Sequence, residues 1–142
     1  MAQALAEDLA AEVGLPEAEV RSAGTGAVAG FPASGGAQRT VARHGLNLAR
    51  HSSTPLTPEL VEWATLILTM GPAHLERVRG LGGGEKSALL GAFARGEEDE
   101  ASGFLGVPDP FGGDDRVYEE TFLTLRDYVG MAMKRLADEV KR

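Results

Sequence analysis

Short apolar runs alternate with helical periodicities along this chain, and that alternation predicts an α/β protein built on a parallel sheet. Two runs carry the strands most clearly: Leu66-Ile67-Leu68-Thr69-Met70 and Ser87-Ala88-Leu89-Leu90. The first is of the type buried on both faces of a parallel sheet. No tight hairpin signal joins any two strands. In open parallel sheets ligands bind beyond the C-terminal strand ends. Here those ends lead into Gly24, Met70 and the loop carrying Asp109.

A length of 142 residues fits one domain over 1–142. Fourteen basic against twenty-one acidic residues leave a net charge of -7, which argues against nucleic acid or an anionic membrane as partner. No apolar run approaches the ~20 residues of a membrane span. The first residues lack the basic start and apolar core of a signal peptide, so a cytoplasmic location is expected. The cysteine count is 0. That excludes disulfides, thiolate zinc sites and a cysteine nucleophile within these residues. The three histidines lack ligand spacing and acidic helpers, so neither a metal nor another cofactor is expected.

Taken in order, Ala2, Leu5, Ala6, Leu9, Ala10 and Val13 recur at helical spacing, and Gly14 and Pro16 stop that helix. Glu19-Val20-Arg21-Ser22-Ala23 reads as a short strand. Gly24, Gly26 and Gly30 miss the dinucleotide fingerprint by one residue. Ser34 caps a helix running to about His44, with Gly45 as its stop. His51 to Leu56 is a loop. Thr57 and Pro58 start another short helix. A helix from Gly71-Pro72 through Arg79 follows the Leu66 strand. Gly82-Gly83-Gly84 reads as a flexible turn, and Arg95 to Gly103 as a mobile acidic loop. Val117, Thr121, Leu125, Tyr128, Ala132, Leu136 and Val140 mark one face of a long terminal helix, with Asp114 and Asp115 as its caps. His44 and His74 fall on helices without obvious partners and read as structural.

The chemistry concentrates in Val107-Pro108-Asp109-Pro110-Phe111-Gly112-Gly113. Each proline fixes its own φ and biases the preceding residue toward an extended backbone. Asp109 is thereby held, and its carboxyl can be aimed. Phe111 offers a flat apolar wall beside it, and the glycines permit the turn after it. Read on residue types alone, the stretch is more readily a Pro/Gly turn with a solvated or capping acid.

Over nearly its whole length the chain resembles the low-molecular-weight protein phosphatase family. The carrying segments are Ser22-Ala23-Gly24-Thr25, His51-Ser52-Ser53 with Pro55 to Leu60, Leu66 to Met70, and Val107 to Gly113. The aspartate-proline-phenylalanine-glycine motif is the most specific. The resemblance implies a three-layer α/β/α fold with a four-stranded parallel sheet. It also implies hydrolysis of a phosphorylated protein through a cysteinyl-phosphate. Asp109 matches the family's proton donor, and Phe111 beside it suggests a substrate-binding slot for a flat group attached to phosphate. Ser22 and His51 match polar residues that brace the phosphate loop. The His51-Ser52-Ser53 loop and the Phe111-Gly112-Gly113 ending look more like bacterial protein arginine phosphatases than eukaryotic tyrosine phosphatases.

The departure is large. The family's phosphate loop, C-x-x-x-x-x-R-S after the first strand, has no counterpart here, since cysteine is absent and no arginine precedes Arg21. Met1-Ala2 matches the end of a proline-methionine-alanine run that opens the next helix. The expectation is that the first strand and the loop are missing, the simplest cause being a start codon assigned at an internal methionine. By the resemblance, that strand lies between those at Val20 and Leu66. The chain alone is then expected to be inactive. A non-enzymatic α/β binding or regulatory module is the alternative. The oligomeric state is not legible.

Overall fold

The computed structural model describes residues 1–96 and 106–140. Helix α1 (Ala2–Ala10) opens the chain and buries Leu5 and Ala10. Gly14 leaves it at φ 86°, a backbone that glycine adopts freely. Helix α2 (Gly35–Arg43) is capped as its sequence predicts: the Ser34 hydroxyl accepts from the Ala37 N–H at 3.3 Å. At its other end Gly45 takes φ 80° and the Leu46 N–H reaches back to the Val41 carbonyl, which satisfies a terminal carbonyl of the helix. Helix α3 (Pro58–Trp63) starts on the Thr57 hydroxyl, which accepts from the Leu60 N–H at 3.2 Å. Its last turn is closed from outside, because the Lys86 ammonium donates to the Ala64 carbonyl at 2.5 Å and to that of Glu62 at 3.1 Å.

The sheet has two strands among the described residues. Strand β1 (Ile67–Thr69) pairs in parallel with β2 (Ser87–Leu89), Leu68 opposite Ala88. Helix α4 (Pro72–Val78) makes the crossover between them. The expected strand at Glu19–Ala23 does not form. A strand exists only through a neighbour's backbone, and this segment has none among the described residues; one residue later, a parallel bridge joins Gly24 to Pro55. For the same reason the Leu66 run is half-buried rather than closed off on both faces.

Gly82 to Gly84 forms the turn that its composition predicts, with Gly82 at φ 97°. The helical backbone that runs on from α4 through Arg79 is broken at Gly82, and Gly84–Lys86 then forms a single tight helical turn. Gly83 is buried there. A Cβ at that position would stand 2.6 Å from Val78 Cγ1 and 3.1 Å from Val61 Cγ1, so the close approach of α3 and α4 requires glycine. After β2, helix α5 (Leu90–Arg95) absorbs Leu90 and Arg95, which the sequence assigns to a strand and a loop. The rest of the expected acidic loop lies outside the described residues.

Helix α6 (Asp115–Val140) is the long terminal helix, and it packs against α1, α2 and α5. Its buried face is Tyr118, Phe122, Leu125, Val129, Ala132, Met133 and Ala137. That corrects the face read from Val117, Thr121 and Tyr128, which lies beside it. Val117 and Val140 are exposed. The main core joins α1, α2, α5 and α6 through Leu5, Val41, Phe93, Phe122 and Met133. A smaller cluster of Leu75, Leu89 and Ala92 packs α4 to β2 and α5. No helix among the described residues is long and apolar enough to cross a membrane.

Candidate active site

The Asp109 loop is held at both ends. Before it, Val107 is buried in the main core and its N–H donates to the carbonyl of Met70, just past β1, at 2.6 Å. This hydrogen bond anchors the loop at the C-terminal end of the sheet, where parallel sheets bind ligands. After it, the Gly113 N–H donates to the Pro110 carbonyl at 2.8 Å and closes a tight turn, with Gly112 at φ 85°. A Cβ at Gly113 would come within 2.9 Å of that carbonyl and of Val117. Both glycines are thus required by this turn.

Between these anchors Asp109 is exposed, and its Oδ1 accepts from the Phe111 N–H at 3.0 Å. The carboxylate is oriented by its own turn. Phe111 projects beside it with 78% of its surface exposed.

The next residues lock the loop to α2. Asp114 caps α6, its Oδ1 accepting from the Val117 N–H at 3.0 Å. Asp115 does not share that role, contrary to the sequence reading. It pairs instead with Arg39 at 2.9 Å, because as the first residue of α6 it points across to α2. The hydrogen bond from Arg39 holds the Asp115 carboxyl below the usual carboxylate range and raises the Arg39 guanidinium in turn. Tyr118 is buried, its hydroxyl 3.0 Å from that of Ser34 and its ring against Gly36. His44, which the sequence leaves without a partner, bonds Glu119 at 2.5 Å and stacks on Phe122 with centroids 4.2 Å apart. His74 lies exposed on α4.

Ser22 and His51 come together at one cavity. They line one cavity of about 360 Å³ with Gln3, Arg21, Arg50 and Leu60. Ser22 Oγ donates to Gln3 Oε1 at 2.5 Å, and the Gln3 amide donates to Glu7 at 2.7 Å. Arg21 lies over the Trp63 ring at 4.1 Å and pairs with Glu19 at 2.7 Å. Asp109 and Phe111 are not among the lining residues. The structure joins Ser22 to His51 through one cavity lining and Asp109 to Phe111 through one turn.

Sequence reasoning missed Gln3, Ser53 and Tyr118. Ser53 ties the loop before α2: its hydroxyl donates to the Val28 carbonyl and accepts from the Phe31 N–H at 2.9 Å. No local signal marks that pairing. Tyr118 had one, since it stands four residues before Phe122 on the bulkier stripe of α6.

The low molecular weight phosphotyrosine protein phosphatase model matches residues 1–142. The chain belongs to that family. Its members' fold accounts for the parallel sheet, the helices around it and the Asp109 loop at the strand ends. The chain is 30% identical over 136 residues to the probable low molecular weight protein-tyrosine-phosphatase EpsP of Ralstonia solanacearum, covering 96% of this chain and 86% of that relative. It is 32% identical to the protein-arginine-phosphatase of Bacillus subtilis, covering 100% of this chain. The match covers 88% of that relative. The YwlE arginine phosphatase from Geobacillus stearothermophilus superposes with a TM-score of 0.77 at 32% identity, over 99% of this chain and 82% of that one.

Proposed function

We propose that this chain supplies the acid, the substrate wall and the framework of a protein phosphatase whose thiolate comes from outside residues 1–142. The observation that carries the reading is the Asp109 loop, a proline-flanked acid anchored to Met70 on one side and closed by the Gly112-Gly113 turn on the other.

In the first step the thiolate sulfur bonds to phosphorus, and the bond from phosphorus to the leaving oxygen or nitrogen breaks. Protonated Asp109 gives its proton to that leaving atom. In the second step Asp109, now a carboxylate, takes a proton from water. The water oxygen bonds to phosphorus, the phosphorus–sulfur bond breaks, and phosphate leaves with the thiolate regenerated. Phe111 lies against the flat phenyl or guanidinium group of the substrate. Ser22 and His51 brace the phosphate loop from their cavity by hydrogen bonds.

Within residues 1–142 no cysteine is available to take the phosphoryl group. The chain alone is therefore inactive, while its framework stays that of the enzyme. Two substrates fit the flat wall, phosphotyrosine and phosphoarginine. The arginine phosphatases among the relatives and the Phe111-Gly112-Gly113 ending favour phosphoarginine.

The test extends the chain before Met1 with a strand and a C-x-x-x-x-x-R-S loop. Asp109→Asn in that protein should lower turnover by about 10²- to 10⁴-fold with the fold unchanged. An equal loss on replacing the capping Asp114 would defeat the assignment.

A further inference from the structure

The peptide unit between Pro110 and Phe111 is bonded at both ends. Its carbonyl accepts from the Gly113 N–H at 2.8 Å, and its N–H, that of Phe111, donates to Asp109 Oδ1 at 3.0 Å. The turn over Pro110 to Gly113 is of type II, because Gly112 takes φ 85° while Phe111 is not at positive φ. The prolines on either side of Asp109 carry no N–H, so the Phe111 amide is the first main-chain donor after the carboxyl. The other oxygen, Oδ2, accepts no hydrogen bond among the described residues, and Asp109 is exposed.

A free carboxyl group presents either oxygen, since rotation about its last bond is broad and two-fold. A main-chain N–H ends that equivalence. It only donates, so the oxygen facing it is an acceptor whether the carboxyl is protonated or not. In the protonated acid the hydroxyl hydrogen therefore falls to the other oxygen. The donor is itself held, because the carbonyl of its own peptide is bonded by Gly113, a position with no room for a side chain. Hydrogen bonds at the two ends of one peptide group also polarise each other.

We propose that the Phe111 N–H is a positioning group for the acid: it occupies Oδ1, so that Oδ2 is the oxygen that gives the proton to the leaving atom and later takes one from water. This inference rests on the reading of Asp109 as the general acid. In the first step the Oδ2–H bond breaks as the bond from hydrogen to the leaving atom forms. In the second, Oδ2 takes a hydrogen from the water that attacks phosphorus. Oδ1 keeps its bond to Phe111 throughout. Phe111 then has two separable parts, a ring that lies against the substrate and an amide that aims the acid. The glycines act through that amide, Gly112 by admitting the type II turn and Gly113 by holding the carbonyl of the same peptide.

The first arm of the experiment uses residues 1–142 as they are. By NMR the Phe111 amide resonance should move together with the Asp109 carboxyl carbon as pH falls, and that movement should be absent in Asp109→Asn. A Phe111 amide that ignores the carboxyl overturns the inference. The second arm uses the chain extended with a strand and a C-x-x-x-x-x-R-S loop, and compares kcat/KM on phenyl phosphate and on p-nitrophenyl phosphate. Phenolate needs the proton to leave, whereas nitrophenolate leaves with little help. Phe111→Pro and Phe111→Ala both lose the ring, but only the first loses the N–H, and proline is favoured at the second position of a type II turn. Phe111→Pro should therefore fall below Phe111→Ala by roughly tenfold on phenyl phosphate and by less than about twofold on p-nitrophenyl phosphate. An ester in place of the 110–111 amide, made with phenyllactate at position 111, keeps the ring and should show the same contrast against the unaltered chain. Equal losses on the two substrates mark a merely structural defect and overturn the inference. A steep contrast for Asp109→Asn with a flat one for both N–H deletions sinks the positioning role alone. A flat contrast for Asp109→Asn sinks the acid reading, and this inference with it.

Discussion

Gly36→Ala tests the contact by which α2 fixes the start of α6, and with it the far end of the Asp109 loop. Gly36 lies within α2, where alanine is intrinsically favoured over glycine by ~1 kcal/mol. Helix propensity alone therefore predicts a stabilised protein. The structure predicts the opposite. The added Cβ would stand 2.4, 2.6 and 2.8 Å from three carbons of the Tyr118 ring. That ring has little room to retreat, being 6% exposed, with its hydroxyl 3.0 Å from Ser34 Oγ. Overpacking of this kind costs about 1–3 kcal/mol. Losing the hydroxyl pair adds about 0.5–1.5 kcal/mol. After the propensity gain, the net loss is about 0.5–3.5 kcal/mol. Urea unfolding should show a lower midpoint at unchanged slope. In a Tyr118→Leu background the same glycine substitution should become neutral or stabilising, since the ring is gone. A higher midpoint for Gly36→Ala in the otherwise unchanged chain would refute the packing argument.

Asp114→Ala should cost about 1 kcal/mol of stability, the usual value of a helix cap, measured by the same unfolding experiment. Asp115 should titrate below the ordinary carboxylate range by NMR, and Arg39→Gln should return it to that range. Because its folded value is lowered, the stability from this pair is present above the ordinary carboxylate range and is lost as pH falls through the folded value. In the chain extended with a phosphate loop, phosphoarginine should turn over faster than phosphotyrosine. The reverse order would move the chain to the tyrosine branch without touching the role of Asp109.

Features that one short stretch determines were legible in the sequence. Ser34, Thr57 with Pro58, and Gly45 act within three to five residues of themselves, and each forms the cap or stop that its chemistry predicts. The Asp109 motif was legible for the same reason, since its prolines and glycines set the turn locally. What depends on distant partners was not. Glu19–Ala23 has strand composition, but no strand forms without a neighbouring backbone. On α6, two adjacent stripes share the helical period. Gly36 and His44, remote in sequence, select the one carrying Tyr118 and Phe122. His44 finds Glu119 across 75 positions, which no pattern along the chain announces. The site divides the same way: Asp109 with Phe111 is a sequence fact, whereas the Ser22–Gln3 bond depends on how α1 packs.

Hydrolysis of phosphoarginine and p-nitrophenyl phosphate by purified residues 1–142, with and without a fused strand and C-x-x-x-x-x-R-S loop, is the decisive assay. In the proposed reaction Asp109 supplies the proton, and a segment outside this chain supplies the thiolate. Residues 1–142 alone should then show no turnover above buffer. Turnover should appear on fusion, and Asp109→Asn should take most of it away. Turnover by residues 1–142 alone, abolished by Asp109→Asn, would contradict that division of roles, because a second nucleophile would then have to lie within this chain.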